Sequence, residues 1–103
     1  MSYPRQNIYE RDNYTCQYCG FSGTSDFESW QLGWFAIDHI KPRKHGGSDD
    51  DSNLTVACHP CNSMKSATDC NSIEDGKKAI AIKIEERKRW FKKYVLENPN
   101  IKS

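Results

Sequence analysis

Apolar positions are sparse along most of this chain and become periodic at its end. Ala79, Ile80, Ile84, Phe91 and Val95 recur at helical spacing, and Ser72 followed three residues later by Asp75 approximates a capping box. The pattern predicts a long helix over about 73–97, stopped by Asn98-Pro99, with Gly76 in its first turn. Upstream, Trp30, Leu32, Trp34 and Ala36 fall at period two in a segment rich in aromatic and β-branched residues. That alternation predicts a strand over 30–37 ending at Asp38-His39, with Trp30 and Trp34 in the core. Residues 54–57 read as a second short strand, and His59-Pro60-Cys61-Asn62 opens a helix running to about Thr68, proline suiting its first turn. Between the strands, residues 41–52 hold a proline, a Gly-Gly pair and three consecutive aspartates, which predicts a surface loop closed by Asn53. Residues 22–29 are polar and read as another loop, and Pro4 followed by residues 5–12 predicts a short helix with Ile8 and Tyr9 as its apolar contacts. The class is α+β, built on a strand, loop, strand, helix unit with flanking helices.

The cysteines change this picture most. Cys16/Cys19 and Cys58/Cys61 form two Cys-x-x-Cys pairs, and thiolates at that spacing can both reach one tetrahedral metal. Two such pairs complete a four-sulfur zinc site whose closed shell folds the chain rather than reacting. The run Thr-Cys-Gln-Tyr-Cys-Gly, residues 15–20, resembles a zinc knuckle, with Gly20 free to take positive φ. The alternative is two disulfides, but Met-Ser-Tyr-Pro at the N-terminus lacks the apolar core of a secretion signal. Cys70 is the odd thiol and reads as a buried or idle cysteine.

Length and composition set bounds. At 103 residues, 1–103 makes one small domain, a size at which a structural metal adds considerably to a thin apolar core. Only 36% of residues are hydrophobic and no long apolar run occurs, which excludes a membrane span and points to a soluble, cytoplasmic protein. The formal charge of +1 conceals an uneven distribution: residues 77–93 carry eight basic side chains against Glu85 and Glu86. A polyanion is a fitting partner for that helix, although lysine-rich helix faces are also common without one.

In order, Cys-x-x-Cys, Asp38-His39-Ile40-x-Pro42, Gly46-Gly47, Asn53-Leu54 and Cys58-x-x-Cys61-Asn62-x-x-Lys65 resemble an HNH endonuclease of the ββα-metal group, the match covering about 14–68. The resemblance implies a DNA-cleaving unit of two strands and a helix around one catalytic divalent ion, of the kind found in bacteria, phages and mobile elements. It implies that His39 is the general base, that Asp38 ligates magnesium or manganese, and that the Asn53 amide pins the loop and steadies the histidine. Asn62 stands where the family's final histidine usually sits, an HNN form; its carbonyl oxygen can ligate a hard cation without deprotonation. His59, three residues earlier, is a weaker ligand candidate that more simply faces outward or toward DNA. Consecutive strand residues point to opposite faces, so Asp38 and His39 can share a site only if the strand ends or twists there. Lys41, Arg43, Lys44, His45 and Lys65 are candidates for phosphate contacts, Arg43 first because guanidinium binds phosphate in a two-pronged way. With few base-reading candidates, cleavage of double-stranded DNA would be of low sequence specificity unless the protein forms a homodimer or joins a larger complex. The reading from a different class is a catalytically silent zinc module that binds nucleic acid or a protein.

Overall fold

The computed structural model describes residues 5–101; Pro4, expected to start the first helix, lies outside the described residues. Helix α1 (Gln6–Arg11) turns Ile8 and Tyr9 into the core, and Asn13 and Tyr14, both at positive φ, bend the chain into the first cysteine turn. That turn closes through hydrogen bonds from the Cys16 N–H to the Phe21 carbonyl (3.0 Å) and from the Gly20 N–H to the Cys16 carbonyl (2.9 Å). Gly20 sits at φ +80°, the left-handed conformation its lack of a side chain permits.

Strand β1 (Ala36–His39) pairs antiparallel with β2 (Leu54–Ala57), setting Asp38 opposite Thr55 and His39 opposite Leu54. All four β2 residues are buried, and each fully buried Leu or Val contributes about 1.5–3 kcal/mol. The outer edge of β2 does not stay open. Asp12 accepts hydrogen bonds from the Thr55 hydroxyl and the Val56 N–H, both at 2.9 Å, while the Val56 carbonyl accepts the Gln17 N–H at 3.0 Å. Arg11 holds Asp12 from the other side at 2.8 Å, so the end of α1 is bolted to the hairpin.

Helix α3 (His59–Lys65) begins with proline in its first turn and packs between β1 and the long helix α4 (Ile73–Phe91), which continues through a π turn at Lys92–Leu96. The α4 cap follows the capping-box expectation in part: the Ser72 hydroxyl accepts the Asp75 N–H at 3.1 Å, but the Asp75 carboxylate returns to the Asn71 N–H rather than to Ser72. No helix among the described residues is long and apolar enough to cross a membrane.

The stretch expected as loop and then strand is corrected. Residues Phe27–Gly33 form helix α2, because the Asp26 carboxylate caps it by accepting the Ser29 N–H at 2.7 Å and Glu28 adds negative charge to its first turn. The strand is confined to Ala36–His39. Trp34, expected in the core, terminates α2 in the left-handed region and is 75% exposed; Phe35 takes the interior place, stacked on Trp30 at 5.0 Å. Trp30 does pack against the core, in an aromatic group with Tyr9 and Tyr14. Helix α3 also ends earlier than the expected Thr68, because Ser66 leaves helical geometry (φ 49°, ψ −137°).

Candidate metal centre and active site

The two cysteine turns meet where the first knuckle faces the start of α3. The four sulfurs of Cys16, Cys19, Cys58 and Cys61 lie within 4.8 Å of one another, the one cluster of three or more Cys, His, Asp or Glu side chains among the described residues that could hold a metal ion. A tetrahedral zinc with bonds of about 2.3 Å needs sulfur–sulfur edges of about 3.8 Å. Cys19 and Cys58 stand 3.7 Å apart, a spacing that fits the tetrahedron and far exceeds a covalent bridge; all the cysteines are free thiols. Three of the four are buried. The Cys16 thiol is pulled down to about 4 by the hydrogen bond from Cys61 and by backbone N–H groups around it, whereas burial pushes Cys58 up to about 11. A bound dication would supply the charge that lets the remaining thiols ionise. Cys70 is buried and stands apart from this group.

Asp38 and His39 leave β1 in different directions. The Asp38 side chain turns inward and is only 7% exposed. Its Oδ2 accepts the Tyr18 hydroxyl at 2.6 Å and lies 3.1 Å from the Lys65 ammonium. Lys65 is fully buried and also donates to the His39 carbonyl at 2.9 Å, so one ammonium fixes the last two residues of the strand. This corrects its expected role: a side chain with no exposed surface cannot meet a DNA phosphate. No hydrogen bond among the described residues falls on Asp38 Oδ1, and no fully buried side-chain oxygen is left unpartnered, so that oxygen keeps some contact with solvent. Asn62 sits one helical turn before Lys65, on the same face of α3, half-buried and with its amide free of hydrogen bonds among the described residues. A carboxylate oxygen and an amide oxygen suit a hard divalent cation.

The His39 imidazole points outward. Its Nε2 lies 2.7 Å from Asp49 Oδ1, which also accepts from Arg43 Nε (3.0 Å) and a terminal guanidinium nitrogen (2.7 Å). Those two partners hold the Asp49 carboxyl below its usual range. An ionised carboxylate can only accept, so Nε2 carries the hydrogen and, in the neutral ring, Nδ1 is the bare nitrogen.

The loop between the strands is held by Asn53. Its amide donates to the carbonyls of Lys41 (3.0 Å) and Ser48 (2.8 Å), and its oxygen accepts the Lys41 N–H (2.9 Å). Gly47 is required there, because a Cβ at that position would lie 1.7 Å from the Lys41 carbonyl oxygen. Lys41 bonds Asp69 (3.1 Å) and Asn71 (3.0 Å), and His45 Nε2 lies 3.0 Å from the Ala67 carbonyl. Lys44 is exposed without such a partner among the described residues, and Arg43, though paired with Asp49, remains largely exposed. His59 is exposed, tilted against the Trp34 ring and near the Ser63 hydroxyl, outside the sulfur cluster.

Sequence reading missed Asp49 as the partner of His39, and Tyr18 and Lys65 as the partners of Asp38. Only Lys65 carried a signal: a lysine one turn after Asn62 on an amphipathic helix shares its inward face. In the sequence Asp49 is one of three consecutive aspartates in a loop and Tyr18 one residue of the cysteine turn, and nothing marks either as a long-range partner.

Among known proteins, no curated sequence and no solved structure matches the chain. The HNH endonuclease family model matches residues 16–68, which reach from the first zinc-knuckle cysteine past the end of α3 and make up just over half of the chain. With the four sulfurs converging at one point and the two-stranded hairpin backed by α3, the chain belongs to the HNH endonuclease family.

Proposed function

We propose that this protein is a divalent-metal-dependent endonuclease that hydrolyses phosphodiester bonds in DNA, with a structural zinc held by Cys16, Cys19, Cys58 and Cys61. The observation that carries this reading is the end of β1, where Asp38 Oδ1 carries no hydrogen bond among the described residues, Lys65 ties the strand end to α3 one turn from Asn62, and Asp49 holds His39 Nε2 so that Nδ1 is bare. Asp38 and Asn62 would hold magnesium or manganese, and the chemistry a bound ion supplies is offsetting of charge on the phosphate and the departing 3′ oxygen. His39 Nδ1 takes the proton from the attacking water, while Asp49 accepts from Nε2 and keeps the ring in the tautomer that task needs. Asn53 keeps the loop that carries Asp49 closed against Lys41. Arg43, Lys41, Lys44 and His45 on this loop are the phosphate contacts proposed, with the basic face of α4 as a further non-specific one; such contacts position a duplex without reading it. Lys41, Arg43 and His45 would exchange present partners for phosphate while Lys44 has none among the described residues, and binding through such charge contacts weakens as salt rises.

A second reading has one observation in its favour. Lys65 already offsets the Asp38 charge, which a silent zinc module binding nucleic acid would tolerate better than a metalloenzyme. Zinc-loaded protein incubated with supercoiled plasmid and magnesium, manganese or chelator separates the two. Metal-dependent conversion to nicked or linear DNA is the expected result; salt-sensitive DNA retention with no conversion in any metal supports the silent module instead.

A further inference from the structure

Tyr18 lies between the two cysteines of the first knuckle, yet its hydroxyl reaches out of the zinc turn to Asp38. Both side chains are buried, and 2.6 Å is the length of a charge-assisted bond between a hydroxyl and a carboxylate. A phenol has one hydrogen and an ionised carboxylate has none to give, so Tyr18 is the donor in this bond. The ring is fixed in place. The Lys65 ammonium stands over it, 5.9 Å from its centroid, and the first turn of α4 presses against its edge. Gly76 makes that approach possible, since a Cβ there would come within 2.4 Å of Tyr18 Cε1.

The consequence concerns which oxygen of Asp38 is available. Tyr18 and Lys65 both address Oδ2, leaving Oδ1 as the one oxygen free to meet a cation. A carboxylate without such partners rotates and must be ordered when the ion arrives; one held at Oδ2 presents Oδ1 in advance. We propose that Tyr18 is a positioning residue for the divalent-ion site: the zinc knuckle, through this hydroxyl, orients the Asp38 carboxylate, so that the structural zinc and the hard-cation site are mechanically joined. This rests on the reading of Asp38 as a ligand of that ion. The competing account is that a buried tyrosine has merely satisfied its hydroxyl with the nearest acceptor.

The two accounts differ in what Tyr18→Phe does. The substitution keeps the ring, its packing on Gly76 and the sulfur cluster, and removes only the donor. Manganese binding to zinc-loaded protein, followed by the electron paramagnetic resonance of free Mn2+, reads the site without DNA and without turnover; manganese does not compete for thiolates held by zinc. Loss of a hydrogen bond that orients a metal ligand typically weakens metal binding about 10–100-fold. Tyr18→Phe is expected to weaken Mn2+ binding within that range at unchanged zinc content. Gly76→Ala, which displaces the ring but leaves the hydroxyl, is expected to weaken it in the same direction. Asp38→Asn, run beside them, is expected to abolish the site. If Asp38→Asn abolishes binding while Tyr18→Phe stays within about twofold of the natural protein, the positioning role of Tyr18 is overturned and the ligand reading of Asp38 stands. If Asp38→Asn leaves Mn2+ binding unchanged, or the natural protein binds none, the ligand reading falls and the role of Tyr18 falls with it.

Discussion

Replacing Lys65 by methionine removes a charge from the interior while nearly preserving the volume of the side chain. The ammonium is fully buried, 3.1 Å from the Asp38 carboxylate and hydrogen-bonded to the His39 carbonyl. Removing one partner of a buried ion pair typically costs about 3–5 kcal/mol, because the other charge stays behind. Asp38 retains the Tyr18 hydroxyl and one oxygen open to solvent, which places the expected loss near the lower end, about 3 kcal/mol. A domain of this length has about 5–15 kcal/mol in total, so the variant stays folded but marginal. With a urea dependence of about 1–1.5 kcal/mol per molar, the unfolding midpoint of zinc-loaded protein should fall by about 2–3 M, read by tryptophan fluorescence. Adding Asp38→Asn to Lys65→Met removes the stranded charge and should recover more than half of the loss. Below the unfolding transition, DNA retention at fixed salt should match that of the natural protein, since Lys65 has no surface to offer a phosphate. A midpoint shift under about 0.5 M, or a double variant no more stable than the single one, would refute the buried pair.

Burial alone would raise the Asp12 carboxyl, but the hydrogen bonds from Arg11, the Val56 N–H and the Thr55 hydroxyl outweigh it and hold the group below its ordinary value. A depressed carboxylate stabilises the fold above its unfolded value of about 3.9 and loses that contribution as pH falls through the folded value. Asp12→Asn should therefore cost about 1–3 kcal/mol at neutral pH, and stability should fall less steeply below about pH 4 than in the natural protein, by urea titration across pH. Metal analysis should find one zinc per chain, and Cys58→Ser should lose both the zinc and the cooperative unfolding transition; a zinc-free variant with an unchanged melting temperature would contradict the folding role. Trp34→Ala should change stability by no more than about 0.5 kcal/mol, as expected at an exposed position, and a loss above 2 kcal/mol would mean that the ring is interior after all.

Parts of the molecule governed by local spacing were legible in the amino-acid sequence. The four sulfurs converge as two Cys-x-x-Cys pairs demand, the 54–57 strand and the long C-terminal helix follow their periodicities, and Gly20 takes the positive φ that its place after Cys19 called for. The region before β1 was misjudged because its aromatic alternation competes with a capping aspartate. At Asp26 the cap outweighs the β-preference of Trp30 and Trp34, and helix α2 forms where a strand was expected. Long-range polar partnerships carried almost no signal. The Tyr18 hydroxyl meets Asp38 across twenty residues and Asp49 meets His39 across ten, and neither pairing shows in any local pattern. Asp38 and His39 do point apart as consecutive strand residues should, Asp38 toward Tyr18 and Lys65 and His39 toward Asp49, and Lys65 links them through one residue's carboxylate and the next residue's carbonyl.

The central claim is that His39 performs the chemistry while the sulfur site takes no chemical part in it, and single-turnover cleavage by His39→Ala tests it most directly. A positioned general base contributes typically about 10²–10⁴-fold. The account predicts a loss of at least about 100-fold in the magnesium-supported rate, with zinc content and melting temperature unchanged. A His39→Ala protein that retains zinc and cleaves within a few-fold of the natural rate would contradict it.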